Sequence, residues 1–226
     1  MPVRCGLRSG RPRRRRRRAP GAAGLLVALA LLTSTPAVGH DAKPSGSPAT
    51  SGISATPRLP RIKPAPDFDL HDAVGRPVRL SALHGRVVLI SFIYTHCTAA
   101  CPLLTRQMAL LQERLAAARP RVHFLSVTVD PERDGPEALP RYARVMGAPT
   151  QGWQFLRDTP ARLGAMLAAY DEWTRVLSGG EIDHPARLYL IDPRGDIREI
   201  YSLAFFDERQ ALIDIRALLQ EAGPRP

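Results

Sequence analysis

The first 40 residues contain no acidic side chain, and the first acid in the chain is Asp41. The same stretch carries nine arginines, all within residues 4–18. They supply most of the formal net charge of +11, so the rest of the chain is close to neutral. Because a nucleic-acid-binding domain needs a basic surface of its own, this distribution argues against a nucleic-acid partner.

A long apolar run is missing as well. Residues 21–32 (GAAGLLVALALL) are apolar throughout, but a helix needs about 20 such residues to span a bilayer. A basic segment, a short apolar run, and small residues at Ala37 and Gly39 are typical of an export signal cleaved after Gly39. An N-terminal membrane anchor is the alternative. In both cases we expect the remainder in the periplasm or on the outer face of the cytoplasmic membrane.

The chain also lacks internal repeats, and its organisation is simple. Residues 1–39 form the predicted signal or anchor. Residues 40–60 are rich in Ser, Pro, Gly, Ala and Thr without apolar periodicity, which indicates a flexible linker. From residue 61 to 226 the pattern is that of one globular domain.

Within this domain the hydrophobic pattern predicts an α/β fold. Continuous apolar runs at 87–94 and 122–129 indicate strands buried on both faces. Turn signals predict an N-terminal β-hairpin over 68–80 and a second hairpin over 187–201, with a short strand at 155–156. Helical spacing predicts helices at 103–120, 136–146, 159–173 (with Thr159 as N-cap) and 207–221. The resulting architecture is a central mixed sheet flanked by helices.

Cysteine is scarce: the chain has three, and Cys5 lies in the leader. The other two, Cys97 and Cys101, lie where the first buried strand gives way to a helix. The unpaired N–H groups and the helix dipole at such a junction stabilise a thiolate. In an oxidising compartment the pair is consistent with a structural disulfide, a redox-active dithiol or a soft metal site.

The spacing of the pair favours a metal. Dithiol oxidoreductases use Cys-x-x-Cys, and this motif has one residue more. Helical positions i and i+4 place their Cβ atoms about 5–6 Å apart, whereas a relaxed disulfide needs about 3.5–4.5 Å. Two metal–sulfur bonds of about 2.3 Å span that gap. A disulfide remains an alternative, because Cys97 lies in a loop and can adjust.

Two thiolates suit Cu(I), which needs one further donor, whereas a structural zinc site needs four ligands. The candidate imidazoles are those of His40, His71, His84, His96, His123 and His184. His184 is the best candidate, because it follows the Gly179–Gly180 loop and opens the strand at 187–191. The alternative interpretation, a structural disulfide with a solvated His184, stays open on these grounds.

Three segments in order resemble the signatures of the SCO/SenC family: 92–102 (FIYTHCTAACP), 125–134 (LSVTVDPERD) and 183–195 (DHPARLYLIDPRG). The resemblance covers about residues 60–222. It implies a thioredoxin-like fold, with copper as Cu(I) or Cu(II) bound by Cys97, Cys101 and His184. It also implies a role in maturing the CuA centre of cytochrome c oxidase. The implied partners are the CuA-bearing subunit, a periplasmic copper donor and a thiol reductant, and we expect a monomer.

Two departures of the sequence from the family pattern lie beside the predicted ligands. Residues 98–100 (TAA) replace the more usual Pro-Asp-Val type of insert, and Pro185 follows His184, with the isomer of that bond left open. The acids of residues 130–134 either cap a helix or pair with an arginine, or else support the metal site.

Two functions remain in competition. The first is a copper carrier without catalytic turnover. The second is a thiol–disulfide reductase, in which Cys97 and Cys101 are the redox-active pair and His184 is dispensable. A peroxidase would need a threonine- and arginine-lined pocket that the sequence does not indicate.

Overall fold

The computed structural model describes residues 58–223. The predicted leader and nearly the whole predicted linker lie outside the described residues, so their limits, and that of the domain at 61, remain predictions. Ten strands are described: β1 Lys63–Pro64, β2 Asp69–Asp72, β3 Pro77–Arg79, β4 Val87–Ile93, β5 Val122–Thr128, β6 Trp153–Arg157, β7 Arg175–Val176, β8 Ile182–Asp183, β9 Arg187–Ile191 and β10 Asp196–Ser202. The α-helices are α1 Ala100–Arg114, α2 Ala138–Met146, α3 Pro160–Ala169 and α4 Glu208–Glu221, and short 3-10 helices cover Ser81–Leu83, Ala116–Arg121 and Leu203–Phe205.

The two continuous apolar runs form the centre of the sheet. Every residue of β4 and β5 is buried, and the strands pair in parallel from Val87 opposite Val122 to Ile93 opposite Thr128. Eight strands follow the order β1-β10-β9-β4-β5-β6-β2-β3, while β7 and β8 form a separate two-stranded sheet. Because β4 and β5 run in parallel and in register, the loops that follow them emerge at the same edge of the sheet.

The predicted α/β architecture is confirmed. The β4–β5 and β5–β6 pairs are parallel, whereas β9 pairs antiparallel with β4, so the sheet is mixed. Helix α1 packs against α4 and α2. The two hairpins are β2–β3 and β9–β10. No helix in the described part of the chain is both long and apolar enough to cross a membrane.

Several predicted helix boundaries were wrong. Helix α1 spans Ala100–Arg114 rather than 103–120, since Ala116 takes a left-handed backbone conformation with φ of 47° and a 3-10 helix follows. Helix α2 begins at Ala138 rather than at 136, because a helix starting there would place Pro140, which has no N–H, beyond its first turn. Helix α3 ends at Ala169 instead of near 173, since Asp171 takes a left-handed backbone conformation with φ of 57°. The predicted N-cap is confirmed: Thr159 accepts a hydrogen bond from the Arg162 N–H at 3.4 Å.

The burial of β4 predicts how much stability a substitution there removes. Ile90 lies in the middle of β4, fully buried between Leu125 of β5 and Tyr189 of β9. Ile90→Ala should lower the free energy of unfolding by about 2–5 kcal/mol, because it removes buried methyl groups and leaves a cavity. Ile213→Ala is the matched control on helix α4, where the side chain is 45% exposed. Equal losses for both variants in urea unfolding would contradict the assignment of β4 to the core.

Candidate metal centre

The two cysteines occupy the junction between β4 and α1, as predicted. After Ile93 the chain turns, and the Cys97 N–H donates to the Tyr94 carbonyl at 3.3 Å. Cys97 is half-buried in the loop, whereas Cys101 lies in the first turn of α1 and is only 3% exposed. Both thiols are free. Cys97 is therefore the sulfur that an external molecule can reach.

Hydrogen bonds concentrate negative charge on Cys97. The Cys101 thiol donates to the Cys97 sulfur, and this is the main reason why the pKa of Cys97 falls to about 5. The Cys101 N–H also donates to that sulfur at 3.3 Å, and the N–H groups of Ala99 and Ala100 act in the same direction. The interaction with Cys97, followed by burial, raises the pKa of Cys101. At neutral pH the pair thus consists of one thiolate and one thiol.

His184 approaches this edge of the sheet from the loop between β8 and β9. Its Nδ1 lies 3.1 Å from the Pro185 carbonyl oxygen, a contact that fits Nδ1 as the protonated nitrogen and leaves Nε2 free to accept a metal. Burial lowers the pKa of His184, so the imidazole is neutral at pH 7. The His184–Pro185 bond is trans, since the described residues contain no cis peptide bond.

Tyr94 links the cysteine loop to the His184 loop. Its ring meets the His184 ring edge-on, with centroids 6.2 Å apart, and its Oη accepts a hydrogen bond from the Ile182 N–H at 3.4 Å. Burial, and next to it the charge of Cys97, raises the pKa of Tyr94. The sequence analysis did not identify this contact. The position of Tyr94 at the end of a buried strand, three residues before Cys97, was the available signal.

The three predicted ligand atoms do not form a closed site. Among the described residues, the group whose ligand atoms all lie within 4.8 Å of one another is a different one, made of His96, Asp130 and Asp134. The segment that carries His184 includes the β7–β8 hairpin, which is separate from the main sheet. One ion can therefore be bound by all three predicted ligands only after their sulfur and nitrogen atoms move closer together.

Asp134 supports the cysteine loop. Its fully buried carboxylate accepts hydrogen bonds from the Thr95 hydroxyl at 2.5 Å, from the Thr95 N–H at 3.1 Å and from the Thr128 hydroxyl at 2.6 Å. Thr95 follows β4 and Thr128 ends β5, so one carboxylate joins the ends of the two central strands. The supporting role considered for residues 130–134 thus falls to Asp134.

Asp130 takes the other predicted role and pairs with an arginine. The guanidinium of Arg133 contacts the Asp130 carboxylate and donates to the Gly180 carbonyl at 2.8 Å. Gly180 lies in the turn of the β7–β8 hairpin. This contact connects the loop after β5 to the segment that carries His184.

His96, His123 and His71 have partners other than the two cysteines. His96 is exposed, with Nδ1 3.9 Å from the Asp134 carboxylate, and both carboxylates of its group already hold other partners. His123 is buried in β5 and bonds Gln154 at 2.8 Å, as expected of a core histidine. His71 pairs with Asp158.

A dithiol at the point where a central strand of a mixed sheet gives way to a helix defines a thioredoxin-like protein. The SCO1/SenC family model matches residues 58–220. The chain therefore belongs to the SCO1/SenC family.

Individual relatives agree with this assignment. The SCO1 protein homolog of Bacillus subtilis is 30% identical over 138 residues, which are 60% of this chain and 72% of the relative. The structure of Bradyrhizobium japonicum ScoI with copper bound matches with 25% identity and a TM-score of 0.61, over 69% of this chain and 99% of that one. The chain spans about half the length of the mitochondrial SCO2 proteins that it also matches.

The structure of BsSco matches with 25% identity and a TM-score of 0.60, over 71% of this chain and 96% of that one. BsSco is a member of the Sco family of cytochrome c oxidase assembly proteins, and a disulfide switch was identified in it. The thioredoxin-like fold implied by the sequence resemblance is thus confirmed.

The charge distribution at the dithiol predicts a pH profile. In reduced Cys5→Ser protein, the alkylation rate of Cys97 by iodoacetamide should rise with pH through a midpoint near 5, because the thiolate is the nucleophile. Cys101→Ala removes the side-chain donor and should move the midpoint toward the ordinary value of about 8.5. A midpoint above 8 before that substitution would contradict the hydrogen-bonded pair.

Removing the Asp134 carboxylate should destabilise the fold, because three hydrogen bonds depend on it. Asp134→Ala leaves the part-buried donors of Thr95 and the buried hydroxyl of Thr128 without their acceptor and should lower the free energy of unfolding by about 2–4 kcal/mol. The control is Asp69→Ala, which breaks an exposed pair with Arg79 and should cost less than about 1 kcal/mol. If urea unfolding gave the same midpoint for both variants, the carboxylate would not hold the strand ends together.

Proposed function

We propose that this protein is an exported copper carrier that binds Cu(I) through Cys97, Cys101 and His184. The observation that carries the proposal is the pair of free thiols at the β4–α1 junction, one of them a thiolate at neutral pH. It stands in a chain of the SCO1/SenC family, a relative of which was solved with copper bound.

The donor set suits copper. Thiolate and neutral imidazole are ligands that Cu(I) prefers, and two cysteines are too few for a closed four-ligand zinc site. Binding a cation also favours loss of the Cys101 proton, because ligating sulfurs are deprotonated. The group of His96, Asp130 and Asp134 offers mostly oxygen donors, which suit harder ions, and its carboxylates are occupied. Cu(II) is a second state in which the imidazole would carry more of the bonding.

The unequal burial of the ligands supports a carrier. Cys97 is the accessible sulfur, while Cys101 is enclosed at the start of α1. An incoming thiolate from an acceptor would therefore replace Cys97 first, with Cys101 and His184 following. Three ligands leave room for such an exchange, whereas a closed cage would not.

We propose the CuA-bearing subunit of cytochrome c oxidase as the acceptor, and the periplasm or the outer face of the cytoplasmic membrane as the location. Support for the acceptor comes from BsSco, a member of a family of oxidase assembly proteins. Support for the location comes from the basic, then apolar leader sequence.

Thiol–disulfide reduction is the second candidate. Two observations favour it: the accessible Cys97 is a thiolate beside a thiol that can resolve a mixed disulfide, and a disulfide switch was identified in BsSco. This reaction needs both cysteines but no imidazole ligand, so the two candidates differ in their dependence on His184.

Anaerobic Cu(I) titration of the reduced Cys5→Ser protein separates the candidates. His184→Ala should weaken Cu(I) binding by more than the 10–100-fold typical of losing an outer-shell partner, and Cys97→Ser should weaken it further. His84→Ala, which alters an exposed histidine near the β9–β10 turn, should have no effect.

Full retention of copper by the Cys97→Ser protein would refute the carrier. Unchanged Cu(I) affinity in His184→Ala, together with intact reduction of a disulfide substrate, would favour the reductase.

A further inference from the structure

Cys97 borders a cleft that the proposed metal ligation does not use. The cleft has a volume of about 310 Å³ and lies between the first turn of α1 and helix α2. Its lining consists of Thr95, His96, Cys97, Pro102, Ala138, Arg141, Tyr142, Val145 and Met146. This volume is at the lower end of the range for small-molecule sites.

The chemistry of the lining is mixed. Pro102, Tyr142, Val145 and Met146 make one side apolar, and Arg141 supplies a cation at the rim. Within the described residues, the Arg141 guanidinium has no carboxylate partner, so its charge is free for a ligand.

A second depression continues from the first and adds positive charge. It shares Ala138 and Arg141 with the cleft and adds Arg144, whose guanidinium also lacks an ion pair in the described part of the chain. Arg133 lies there as well but is held by Asp130. Glu137 is the acidic side chain of this lining. The free cations outnumber the acid, which favours an anionic ligand.

We propose that this cleft binds a small acidic thiol, about the size of a tripeptide, which reduces a Cys97–Cys101 disulfide. The apolar side accommodates its carbon skeleton, Arg141 and Arg144 hold its carboxylates, and its sulfur reaches Cys97. The physiological use rests on the proposed function, because only the reduced pair binds Cu(I).

The reaction balances with two thiols. The first thiolate attacks the Cys97 sulfur, forms a mixed disulfide there, and breaks the bond to Cys101, which leaves as a thiolate and takes up a proton. The second thiol attacks the ligand sulfur of the mixed disulfide and releases Cys97. Two thiols are oxidised to one small disulfide, and the protein disulfide is reduced to the dithiol.

Full-length Cys5→Ser protein, oxidised with diamide, provides the test. Its reduction is followed anaerobically by mass spectrometry with glutathione as the acidic thiol and with 2-mercaptoethanol as a neutral one. Arg141→Ala should lower the rate of reduction by glutathione about 2–5-fold, which is the effect of losing an exposed ion pair. Arg141→Glu should lower that rate tenfold or more, because it also repels the glutathione carboxylates. Both variants should change the reduction rate with 2-mercaptoethanol less, because its thiolate carries one negative charge and the molecule has no carboxylate.

Three controls sharpen the result. Arg216→Glu, an exposed arginine on α4, should leave the glutathione rate unchanged, and Arg141→Lys should retain most of it. S-methylglutathione, which has no thiol, should inhibit by occupying the cleft.

The proposal would be overturned if Arg141→Glu slowed reduction by both thiols equally. It would also be overturned if Arg216→Glu slowed reduction by glutathione as much as Arg141→Glu does, or if S-methylglutathione did not inhibit. Cu(I) affinity of the reduced Arg141→Glu protein reports separately on the carrier function, so failure of the cleft and failure of the metal site give different results.

Discussion

The buried carboxylate of Asp134 is the interaction on which the site depends. It gathers donors from Thr95, just after β4, and from Thr128, at the end of β5. Parallel pairing brings these two strand ends to one edge of the sheet, and the carboxylate joins them. The cysteine loop starts from this point, two residues before Cys97.

The dithiol and the histidine are held in different ways. Cys97 lies in the loop after β4, every residue of which is buried, and Cys101 lies in the first turn of α1, whereas His184 follows a two-stranded hairpin outside the main sheet. The Tyr94 ring and the link from Arg133 to Gly180 connect the two parts. Different elements of the fold thus position the two cysteines and the imidazole.

Much of this arrangement could be predicted from the sequence. Continuous apolar runs located β4 and β5, because strands buried on both faces need such runs, and the chain order then placed Cys97 and Cys101 at a strand–helix junction. The roles of Tyr94 and Asp134 could not be predicted in the same way. Each contacts residues 30 or more positions away, and only the strand register decides which of several acids or tyrosines makes the contact.

The attachment of His184 to a hairpin outside the main sheet could not be predicted either, because residue spacing identifies ligand types but not their positions. The central claim is that two sulfurs and this imidazole meet on one ion. X-ray absorption spectroscopy at the copper edge of the Cu(I)-loaded protein tests it most directly. Two sulfur donors and one imidazole nitrogen are expected, with the nitrogen lost in His184→Ala. A spectrum with sulfur donors alone, unchanged by that substitution, would contradict it.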